Sequence, residues 1–439
     1  MMSKASQPIK EGWMIKRGGR IKTWKKRWFV LEGQTLTYLT KPNGKKKGEI
    51  PISDAKFIIS APECKKQPAF KIEIPCVRTY YCVTKTMTEM QEWISILDKV
   101  RVKTPDKPTK VCVDDFDILR VIGRGTSGKV QLVRNKIDHQ LYAMKSMSKK
   151  ILAENDQIEQ TLIEKNVLLK TQHPFLVCAH FTFQTETKIF LILDYVAGGE
   201  LFSRLKEEGK FSEKRTKLYA AEVLLGLEHL HKLGIIYRDL KPENVLVDVE
   251  GHLKITDFGL VKTDMTANST TTTFCGTAEY ISPEMLNQIP YTQVIDWWCF
   301  GVLLFEMLTG IPPFYDENTN NLYNSILNDP IDFPHYISKN ARSLITLLLD
   351  RNPKTRLGAK DDADEIKRHP FFSDINFDDV LNKRIKPEYV PNVKFDTDTS
   401  NFEQEFTREK AMISLEDETL INKETQSAFE NFTCLPEQI

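Results

Sequence analysis

A polar segment with two prolines, Lys103–Lys110, divides the chain into two stretches with different hydrophobic patterns. Before it lie six short runs rich in aromatic and β-branched residues, which favour strands. A helical pattern follows, Met87–Val100, with Met90, Trp93 and Leu97 on one face. The prolines and charges of the segment favour a linker. The chain is therefore predicted to form at least two domains, the first a β-barrel or sandwich closed by one helix.

The second stretch begins with strand-like runs and continues with long helical patterns. The strand-like runs fall at 116–122, 130–135, 141–147 and 180–194, with a helical pattern at 156–170 among them. This order predicts a small, mainly β lobe joined to a larger, mainly α lobe, so the predicted fold class is α+β multidomain. Residues 373–439 carry 15 acids against 7 bases and are too polar for a core, so we expect them to wrap another surface.

Opposite net charges distinguish the two stretches. Residues 1–103 carry 22 Lys and Arg against 9 Asp and Glu, a net charge of +13, while the rest carries 39 against 51, a net charge of −12. A basic first domain favours an anionic partner: a membrane surface, a nucleic acid or the acidic remainder of the chain. Since no aromatic stacking platform or recognition helix accompanies the charge, we expect no nucleic-acid partner.

The cysteine pattern and the hydropathy favour a cytoplasmic chain. The eight cysteines form no Cys-x-x-Cys pair and no zinc-ligand spacing, which favours a reduced intracellular setting. The first residues show no signal-peptide pattern, and no run of eighteen apolar residues occurs. We therefore expect a soluble monomer whose membrane contact is peripheral.

A glycine-rich run, Gly123–Val130, joins two of the strand-like runs. Gly123, Gly125 and Gly128 let the backbone approach phosphate groups, and their amides can donate hydrogen bonds to phosphate oxygens. A dinucleotide-binding turn has similar spacing but is followed by a helix, whereas a strand follows here. The run therefore favours a phosphate cradle outside a dinucleotide-binding fold.

Charged side chains that suit phosphoryl transfer follow the glycines at intervals. Lys145 lies in an apolar run, where an unpaired ammonium is costly, and Glu164 on the next helix is a candidate partner. Asp239 is suited to accept a proton from a substrate hydroxyl, and Asn244 and Asp257 to hold Mg²⁺ against nucleotide phosphates. Each motif alone is compatible with an ordinary loop or strand edge, but the set indicates ATP-dependent phosphoryl transfer.

Together these motifs resemble those of eukaryotic protein kinases over about residues 116–372. The elements that share that family's order and spacing are the glycine-rich run, Lys145, Glu164, Asp239, Lys241, Asn244, Asp257-Phe-Gly259, Glu284 and Asp296. Tyr237 before Arg238, with the segment 274–277, resembles the AGC group of kinases. The resemblance implies a bilobal kinase fold, a non-specific serine/threonine protein kinase activity, and ATP and Mg²⁺ as cofactors.

The same resemblance implies a role for each site residue. The implied catalytic residues are Asp239, Lys241, Lys145 and Glu164, and the implied metal ligands are Asn244 and Asp257. The implied ATP-binding residues are Gly123, Gly125, Gly128, Val130, Ala143, Lys145, Leu193 and Leu246. The apolar members of this set are equally compatible with an ordinary core, so both interpretations of them stay open.

Two threonines resemble phosphorylation sites of AGC kinases. Thr273 corresponds to the activation-loop site, where a phosphate would pair with Arg238 and Lys262. Gln160 stands where close relatives carry a histidine that also contacts this phosphate, so weaker coupling to the Glu164 helix is expected.

The second of these sites, Thr433, lies in a segment that resembles the hydrophobic motif of the group. Phe429 and Phe432 are expected to dock in a small-lobe groove, and phosphorylation of Thr433 to strengthen the docking. Phe402 lies in a segment that resembles the one lending an aromatic ring to the nucleotide site.

Three acids, Glu200, Glu243 and Glu306, match positions that select arginines upstream of the phosphorylated residue in this group. A solvated surface carboxylate is the plainer interpretation of each one alone. Lys241 and Thr277 match the pattern of serine/threonine-specific members. The resemblance therefore implies protein substrates with Arg-x-x-Ser/Thr sites.

The first stretch resembles a pleckstrin homology domain over about residues 8–101. Lys16, Lys25 and Arg27 fit that family's basic spacing for phosphorylated inositol lipids, and Arg78 matches a further headgroup-binding arginine. Guanidinium and ammonium groups suit clustered phosphates. Many domains of this family bind lipid weakly or not at all, so that alternative stays open. The resemblance implies regulated recruitment from the cytoplasm to the plasma membrane by phosphoinositide lipids.

The order of the domains resembles that of the protein kinase B family. The implied division is a pleckstrin homology domain at 1–103, a linker at 104–115, a kinase domain at 116–372 and a C-terminal tail at 373–439. Upstream activating kinases are implied partners. The alternative is a lipid-tethered scaffold that binds nucleotide without transferring phosphate. The presence of Lys145, Asp239 and Asp257 argues against it.

Overall fold

The computed structural model describes residues 8–17, 23–52, 55, 57–62, 64, 66–74, 78–100, 111–125, 128–265, 269–412 and 421–434. The chain forms two compact units, Met1–Asp115 and Phe116–Ile439. Within the described ranges, no helix combines the length and the apolar character needed to cross a membrane.

The first unit is a seven-stranded antiparallel sheet followed by one helix. Its elements are β1 (Lys10–Arg17), β2 (Trp24–Glu32), β3 (Thr35–Leu39), β4 (Lys46–Pro51), β5 (Phe57–Ser60), β6 (Ala69–Ile74), β7 (Arg78–Val83) and α1 (Met87–Val100). The strand order is β4-β3-β2-β1-β7-β6-β5. Because side chains alternate along a strand, Met14, Phe29 and Leu31 face one buried core, to which α1 adds Trp93 and Leu97.

The six runs of this unit with a strand pattern all fall within strands, and the predicted helix is α1. The strand that the sequence pattern missed is β4, with the residues KKGEIP. It lies at an edge of the sheet, where one neighbour suffices and lysines hinder pairing with another chain. Its polar composition therefore follows from its position rather than from burial.

The second unit begins with a lobe built on a five-stranded antiparallel sheet. Its elements are β8 (Phe116–Gly125), β9 (Gly128–Asn135), β10 (Leu141–Ser148), α2 (Lys149–Glu154), α3 (Ile158–Lys170), β11 (Ala179–Gln184) and β12 (Lys188–Asp194). The strand order is β11-β12-β10-β9-β8. The predicted helix at 156–170 is α3, whereas the short α2 was not predicted.

The larger lobe is mainly helical. Its elements are α4 (Leu201–Glu208), α5 (Glu213–Lys232), β13 (Val245–Val247), β14 (Leu253–Ile255), α6 (Pro283–Leu286), α7 (Val294–Thr309), α8 (Thr319–Asn328), α9 (Lys339–Leu348) and α10 (Asp362–Lys367). Most residues of α5 and α7 are buried, so these two helices form the centre of the lobe. A buried ion pair joins Arg356 Nη1 and Nη2 to Glu284 at 2.6 and 2.8 Å.

The C-terminal residues add three short helices to this unit, α11 (Phe377–Leu381), α12 (Gln404–Thr407) and α13 (Lys423–Ala428). Phe429 and Phe432 are fully buried within the core of the unit. The predicted fold class is confirmed: an α+β multidomain chain with a β-rich first domain and a bilobal second domain.

Candidate active site and its regulatory contacts

A cleft of about 590 Å³ in the second unit brings most of the predicted site residues together. The predicted nucleotide and metal residues along its walls are Gly123, Gly125, Gly128, Val130, Ala143, Lys145, Leu193, Leu246, Asn244 and Asp257. Glu164 and Asp239 line the same cleft, as do Glu200, Glu243 and Phe402. The sequence motifs, far apart along the chain, thus converge on one cavity.

The glycine-rich run forms the closed end of the β8–β9 hairpin. Gly125 pairs with Gly128, and Gly123 pairs with Val130. A Cβ on Gly128 would lie 1.8 Å from the carbonyl oxygen of Ser146. Because no side chain fits that distance, the hairpin needs glycine to lie this close to β10.

A partly buried ion pair links the sheet to α3. Lys145 Nζ donates to Glu164 Oε1 at 2.7 Å and lies 3.8 Å from Asp257 Oδ1. Burial by itself lowers the pKa of Lys145, but the carboxylates of Glu164 and Asp257 outweigh it and raise that pKa above its usual value. The ammonium therefore stays charged inside the cleft, which suits it to bind phosphate oxygens.

In the catalytic loop, residues 237–244, the Asp239 carboxylate is the centre of a hydrogen-bonded group with Lys241, Asn244 and Thr277. Lys241 Nζ lies 3.1 Å from Asp239 Oδ2 and donates to Thr277 Oγ1 at 2.8 Å. Asn244 Nδ2 donates to the Asp239 carbonyl at 2.8 Å and to Asp239 Oδ2 at 2.7 Å. Both of these bonds use the amide nitrogen of Asn244, and the amide oxygen of Asn244 and the carboxylate of Asp257 are oxygen donors among the residues that line the cleft. This is the donor set that hard divalent cations prefer.

Asp257 lies in the left-handed region with φ 56°, which Asp tolerates better than most residues. Its Oδ1 accepts a hydrogen bond from Gly259 N at 3.2 Å. Phe258 between them is fully buried, with its ring 5.7 Å from that of Tyr237. Burial of Phe258 therefore fixes Asp257 with an exposed carboxylate at the cleft.

The catalytic loop is anchored from the helix α7. Asp296 accepts hydrogen bonds from the backbone N–H groups of Tyr237 and Arg238 and from His231 Nε2, each at 2.8 Å. His231 Nδ1 lies 2.9 Å from Asp362 Oδ1. Burial lowers the pKa of His231, but the two carboxylates outweigh it and raise that pKa to about 9. Charge-assisted hydrogen bonds to Asp296 thus hold the catalytic loop in place. The sequence motifs did not single out His231, which takes part in them.

The three predicted substrate acids differ in their placement. Glu200 and Glu243 line the cleft, whereas Glu306 is buried and accepts a hydrogen bond from the Tyr280 hydroxyl. Partial burial, with Glu403 and Glu243 nearby, raises the pKa of Glu200 to about 7. Burial also raises the pKa of Glu306 to about 7, against the lowering effect of the Tyr280 bond. A cation placed near either group would stabilise its carboxylate form.

In the activation segment, residues 257–284, the Thr273 side chain is exposed. Its carbonyl accepts a hydrogen bond from the Tyr291 hydroxyl at 2.6 Å. Arg238, the predicted partner of a phosphate at this position, donates to the carbonyl oxygens of Leu260 at 2.6 Å and Val261 at 3.2 Å. A phosphate on Thr273 would therefore compete with these carbonyl groups for the guanidinium.

The hydrophobic-motif segment docks on the small lobe. Phe429 and Phe432 are fully buried, with ring centroids 5.9 Å apart. Lys165 Nζ lies 5.6 Å from the Phe432 ring and donates to the Asn431 carbonyl at 3.2 Å. The Thr433 side chain is exposed, so a kinase can reach it while both rings stay docked.

A lysine that sequence reasoning did not single out joins the tail to α2. Lys149 Nζ donates to Gln184 Oε1 at 2.7 Å, to the Thr185 carbonyl at 2.9 Å and to Gln426 Oε1 at 3.0 Å. It also lies 5.6 Å from the Phe429 ring. Burial lowers its pKa to about 8. No sequence signal marks this residue, because its partners are distant in the chain.

A further set of tail contacts lies near the glycine-rich hairpin. Glu409 pairs with Lys129 and lies 3.5 Å from Arg124 Nη1. The hydrogen bond from Lys129 holds the pKa of Glu409 below its usual range. Phe402 lines the cleft and stacks on Tyr195 at a centroid distance of 6.0 Å. The tail thus contacts both the hairpin and the cleft.

We expect Glu409→Gln to raise the KM for ATP about threefold and to leave kcat unchanged, because a partly exposed ion pair contributes little energy. Initial rates at varied ATP concentration measure this. Glu405→Gln, an exposed acid on the neighbouring helix α12, is the matched control. Equal effects of the two substitutions would contradict a specific role of Glu409 at the hairpin.

In the first unit, strand register places three predicted lipid-binding residues on one face. Lys16 pairs with Lys25, and Met14 pairs with Arg27, so all four side chains point to the inner side of the sheet. Lys16 Nζ lies 4.5 Å from the Tyr38 ring centroid. Arg78 is the first residue of β7, and its side chain lies outside the described part of the structure. The inner face at this end of the hairpin is therefore cationic.

Comparisons with known proteins identify the domains of the chain. A protein kinase domain model matches residues 116–372, a PH domain model matches residues 8–101, and a protein kinase C terminal domain model matches residues 393–434. The chain is 45% identical to a RAC family serine/threonine-protein kinase homolog of Dictyostelium discoideum over 442 residues, which cover 99% of each protein.

Two further relatives match a shorter part of the chain. The serine/threonine-protein kinases Sgk1 of Gallus gallus and Homo sapiens are each 48% identical over 329 residues, which cover 73% of this chain and 76% of each relative. The full-length match includes the first domain, and all of these relatives are named serine/threonine-protein kinases. The chain therefore belongs to the AGC group of serine/threonine protein kinases, with the domain order of the RAC, or protein kinase B, family.

Proposed function

We propose that this kinase transfers the γ-phosphoryl group of ATP to Ser or Thr hydroxyls of basic protein substrates, at the cleft described above. The observation that carries the proposal is the convergence of Lys145, Glu164, Asp239, Asn244 and Asp257 on one cavity. The domain division at residues 103, 115 and 372 is part of the same proposal. A protein kinase domain implies ATP and Mg²⁺, and the oxygen donors at the cleft fit the metal ion.

The residues of the cleft have distinct roles in this mechanism. The Asp239 carboxylate orients the acceptor hydroxyl and accepts its proton. Lys241 pairs with Asp239 and donates a hydrogen bond to Thr277, and it stabilises negative charge near the hydroxyl that receives the phosphoryl group. Asn244 and Asp257 would hold Mg²⁺, which would neutralise charge on the nucleotide phosphates. Val130, Ala143, Leu193 and Leu246 form the apolar walls of the adenine pocket.

Substrate choice is assigned to the acids at the cleft. Glu200 and Glu243 lie beside the catalytic residues and would pair with an arginine upstream of the acceptor. Glu306, buried under Tyr280, would act on a further upstream arginine or hold that surface in place. The preferred site is Arg-x-x-Ser/Thr. Loss of the minus-three arginine from a peptide should therefore raise KM.

The raised pKa of Glu200 gives this proposal a pH signature. Its folded-state pKa of about 7 lies above the ordinary carboxyl value, so the neutral form gains population as the pH falls through 7. Because only the carboxylate pairs with arginine, we expect the KM of an Arg-x-x-Ser peptide to rise several-fold between about pH 8 and pH 6. Steady-state rates across this range measure it.

Glu200→Gln is the matching variant for the pH experiment. It should raise the KM of the arginine peptide about tenfold at pH 8 and flatten its pH dependence. A peptide with alanine at the minus-three position is the control and should show neither effect. A variant that kept the wild-type KM and pH profile would remove Glu200 from substrate binding.

Recruitment to membranes is assigned to the first domain. Lys16, Lys25 and Arg27 share the inner face of the β1–β2 hairpin and would bind the phosphates of a phosphoinositide headgroup. Arg78 is a further candidate by its place in the sequence. Phosphorylation of Thr273 and Thr433 by upstream kinases would then activate the recruited enzyme. Both side chains are exposed to such kinases.

Adjacent lysines on opposite faces of β2 test the lipid site. Lys25 shares the inner face with Lys16, whereas Lys26 lies on the outer face, 4.9 Å from the Trp13 ring centroid. We expect Lys25→Ala to weaken binding to phosphoinositide vesicles about tenfold and Lys26→Ala to change it less than twofold. Vesicles of equal charge made with phosphatidylserine separate headgroup recognition from general attraction. Equal losses on both vesicle types would contradict a specific site.

A further inference from the structure

The helix α3 carries two polar contacts on one face. Glu164 accepts from Lys145 at 2.7 Å, and Gln160, one turn earlier, donates from Nε2 to the Val261 carbonyl at 3.1 Å. Residues four apart lie on the same side of a helix. Val261 belongs to the activation segment, four residues after Asp257. The same helix face therefore contacts both the ATP-site lysine and the start of the activation segment.

The Val261 carbonyl connects the activation segment to α3 and to the catalytic loop. It accepts hydrogen bonds from Gln160 Nε2 and from Arg238 Nη2, the latter at 3.2 Å. Arg238 Nη1 also lies 3.4 Å from the Tyr291 hydroxyl, which in turn donates to the Thr273 carbonyl at 2.6 Å. A continuous series of hydrogen bonds thus runs from α3 through the catalytic loop to the backbone of Thr273.

This series uses no side-chain atom of Thr273 and no carboxylate or imidazole acceptor. The acceptors along it are backbone carbonyl groups and one tyrosine hydroxyl. At position 160 a hydrogen-bond donor is needed, because the partner is a carbonyl oxygen, and glutamine supplies one at every pH. The Gln160–Val261 hydrogen bond itself therefore needs neither a phosphate on Thr273 nor a protonated partner.

We propose that Gln160 is a positioning residue that fastens α3 to the activation segment through Val261, and so keeps the Lys145–Glu164 pair closed whatever the state of Thr273. The inference rests on the proposed roles of Lys145 and Glu164. It agrees with the expectation from sequence that glutamine weakens the coupling of α3 to phosphorylated Thr273, and it adds a contact that holds α3 in place instead. We therefore expect measurable basal activity without a phosphate on Thr273, to which phosphorylation of Thr273 adds.

The test uses the full chain carrying Thr273→Ala, in which no phosphate can form at this position. Gln160→Glu replaces the amide donor by a carboxylate of the same shape, which repels the Val261 carbonyl. We expect kcat for an Arg-x-x-Ser peptide to fall about tenfold. Glu159→Gln, the reverse exchange at the adjacent exposed position, is the matched control and should stay within twofold of its parent.

A pH profile separates this role from a merely structural one. A protonated carboxyl group can again donate to the Val261 carbonyl, so the ratio of Gln160→Glu to parent kcat should recover as the pH falls toward about 5. Gln160→Met, which has no donor and no charge, should lose about fivefold at every pH. It also keeps the test valid if the charged variant unfolds.

Two outcomes would overturn the inference: a Thr273→Ala parent without measurable transfer, or Gln160 variants with the kcat of that parent. The proposed activation by phosphorylation fails separately. If phosphorylated and Thr273→Ala chains were equally active while Gln160→Glu still lowered kcat, the regulatory role of Thr273 would fall and the role of Gln160 would stand.

Discussion

Asp257→Asn is expected to lower transfer of phosphate from Mg-ATP to an Arg-x-x-Ser peptide by about 10³-fold, because a metal ligand and its charge are lost together. The substitution preserves the backbone, since asparagine tolerates φ 56° as well as aspartate does. Nearby, Lys145 Nζ lies 3.8 Å from the carboxylate. Removing this charge also leaves the lysine with Glu164 as its remaining carboxylate partner in the cleft.

Asp264→Asn is a close control for this experiment. Asp264 also has a left-handed backbone, φ 60°, but its side chain accepts from Thr263 and lies outside the cleft lining. Its substitution should leave the transfer rate within twofold of wild type. If Asp257→Asn behaved in the same way, the metal assignment would fail. The chain would then fit a nucleotide-binding, lipid-tethered scaffold better than an enzyme that uses this cleft.

Phe432→Ala is expected to release the C-terminal tail from the small lobe. Truncating a fully buried phenylalanine costs about 3–5 kcal/mol, which is comparable to the whole docking energy of a short segment. The ring also packs beside Lys165, whose ammonium caps the Asn431 carbonyl. We expect a lower Tm, faster proteolysis of residues after 420, and a fall in kcat of about tenfold, measured on the same preparation.

The control for Phe432 lies in the same tail. Phe395 is 58% exposed, so its truncation removes a ring of the same size without leaving a cavity. Phe395→Ala should leave Tm, proteolysis and kcat close to wild type. A fall in kcat without faster proteolysis would show that Phe432 acts on the lobe without holding the tail, and would contradict the docking interpretation.

The sequence predicted the elements whose signals are local. Strand and helix patterns located six of the seven strands of the first unit and its helix, because alternating burial leaves a period-two pattern. The cleft residues were predicted because glycines, Lys145, Asp239 and Asp257 carry their chemistry in their identity. The β10 strand then places Lys145 where α3 can reach it.

Contacts between distant segments left no such signal. Glu409 lies 280 residues from Lys129, and Gln426 lies 277 residues from Lys149. Each is an ordinary polar residue in a polar segment, so only the folded chain shows what it contacts. Gln160 was predictable only in part. Its identity differs from the histidine of related kinases, which the sequence shows, but its acceptor is a backbone carbonyl, which has no sequence signature.

The docked tail also has a consequence for how the small lobe meets other protein molecules. β11 is an edge strand, and Thr182 exchanges backbone hydrogen bonds of 2.9 and 3.0 Å with Cys434. This pairing occupies part of an edge that could otherwise recruit a strand from another chain. Release of the tail would uncover that edge together with the groove in which Phe429 and Phe432 are docked. Residues 429–434 therefore cover an edge that favours self-association, and we expect a chain shortened before residue 421 to aggregate more readily.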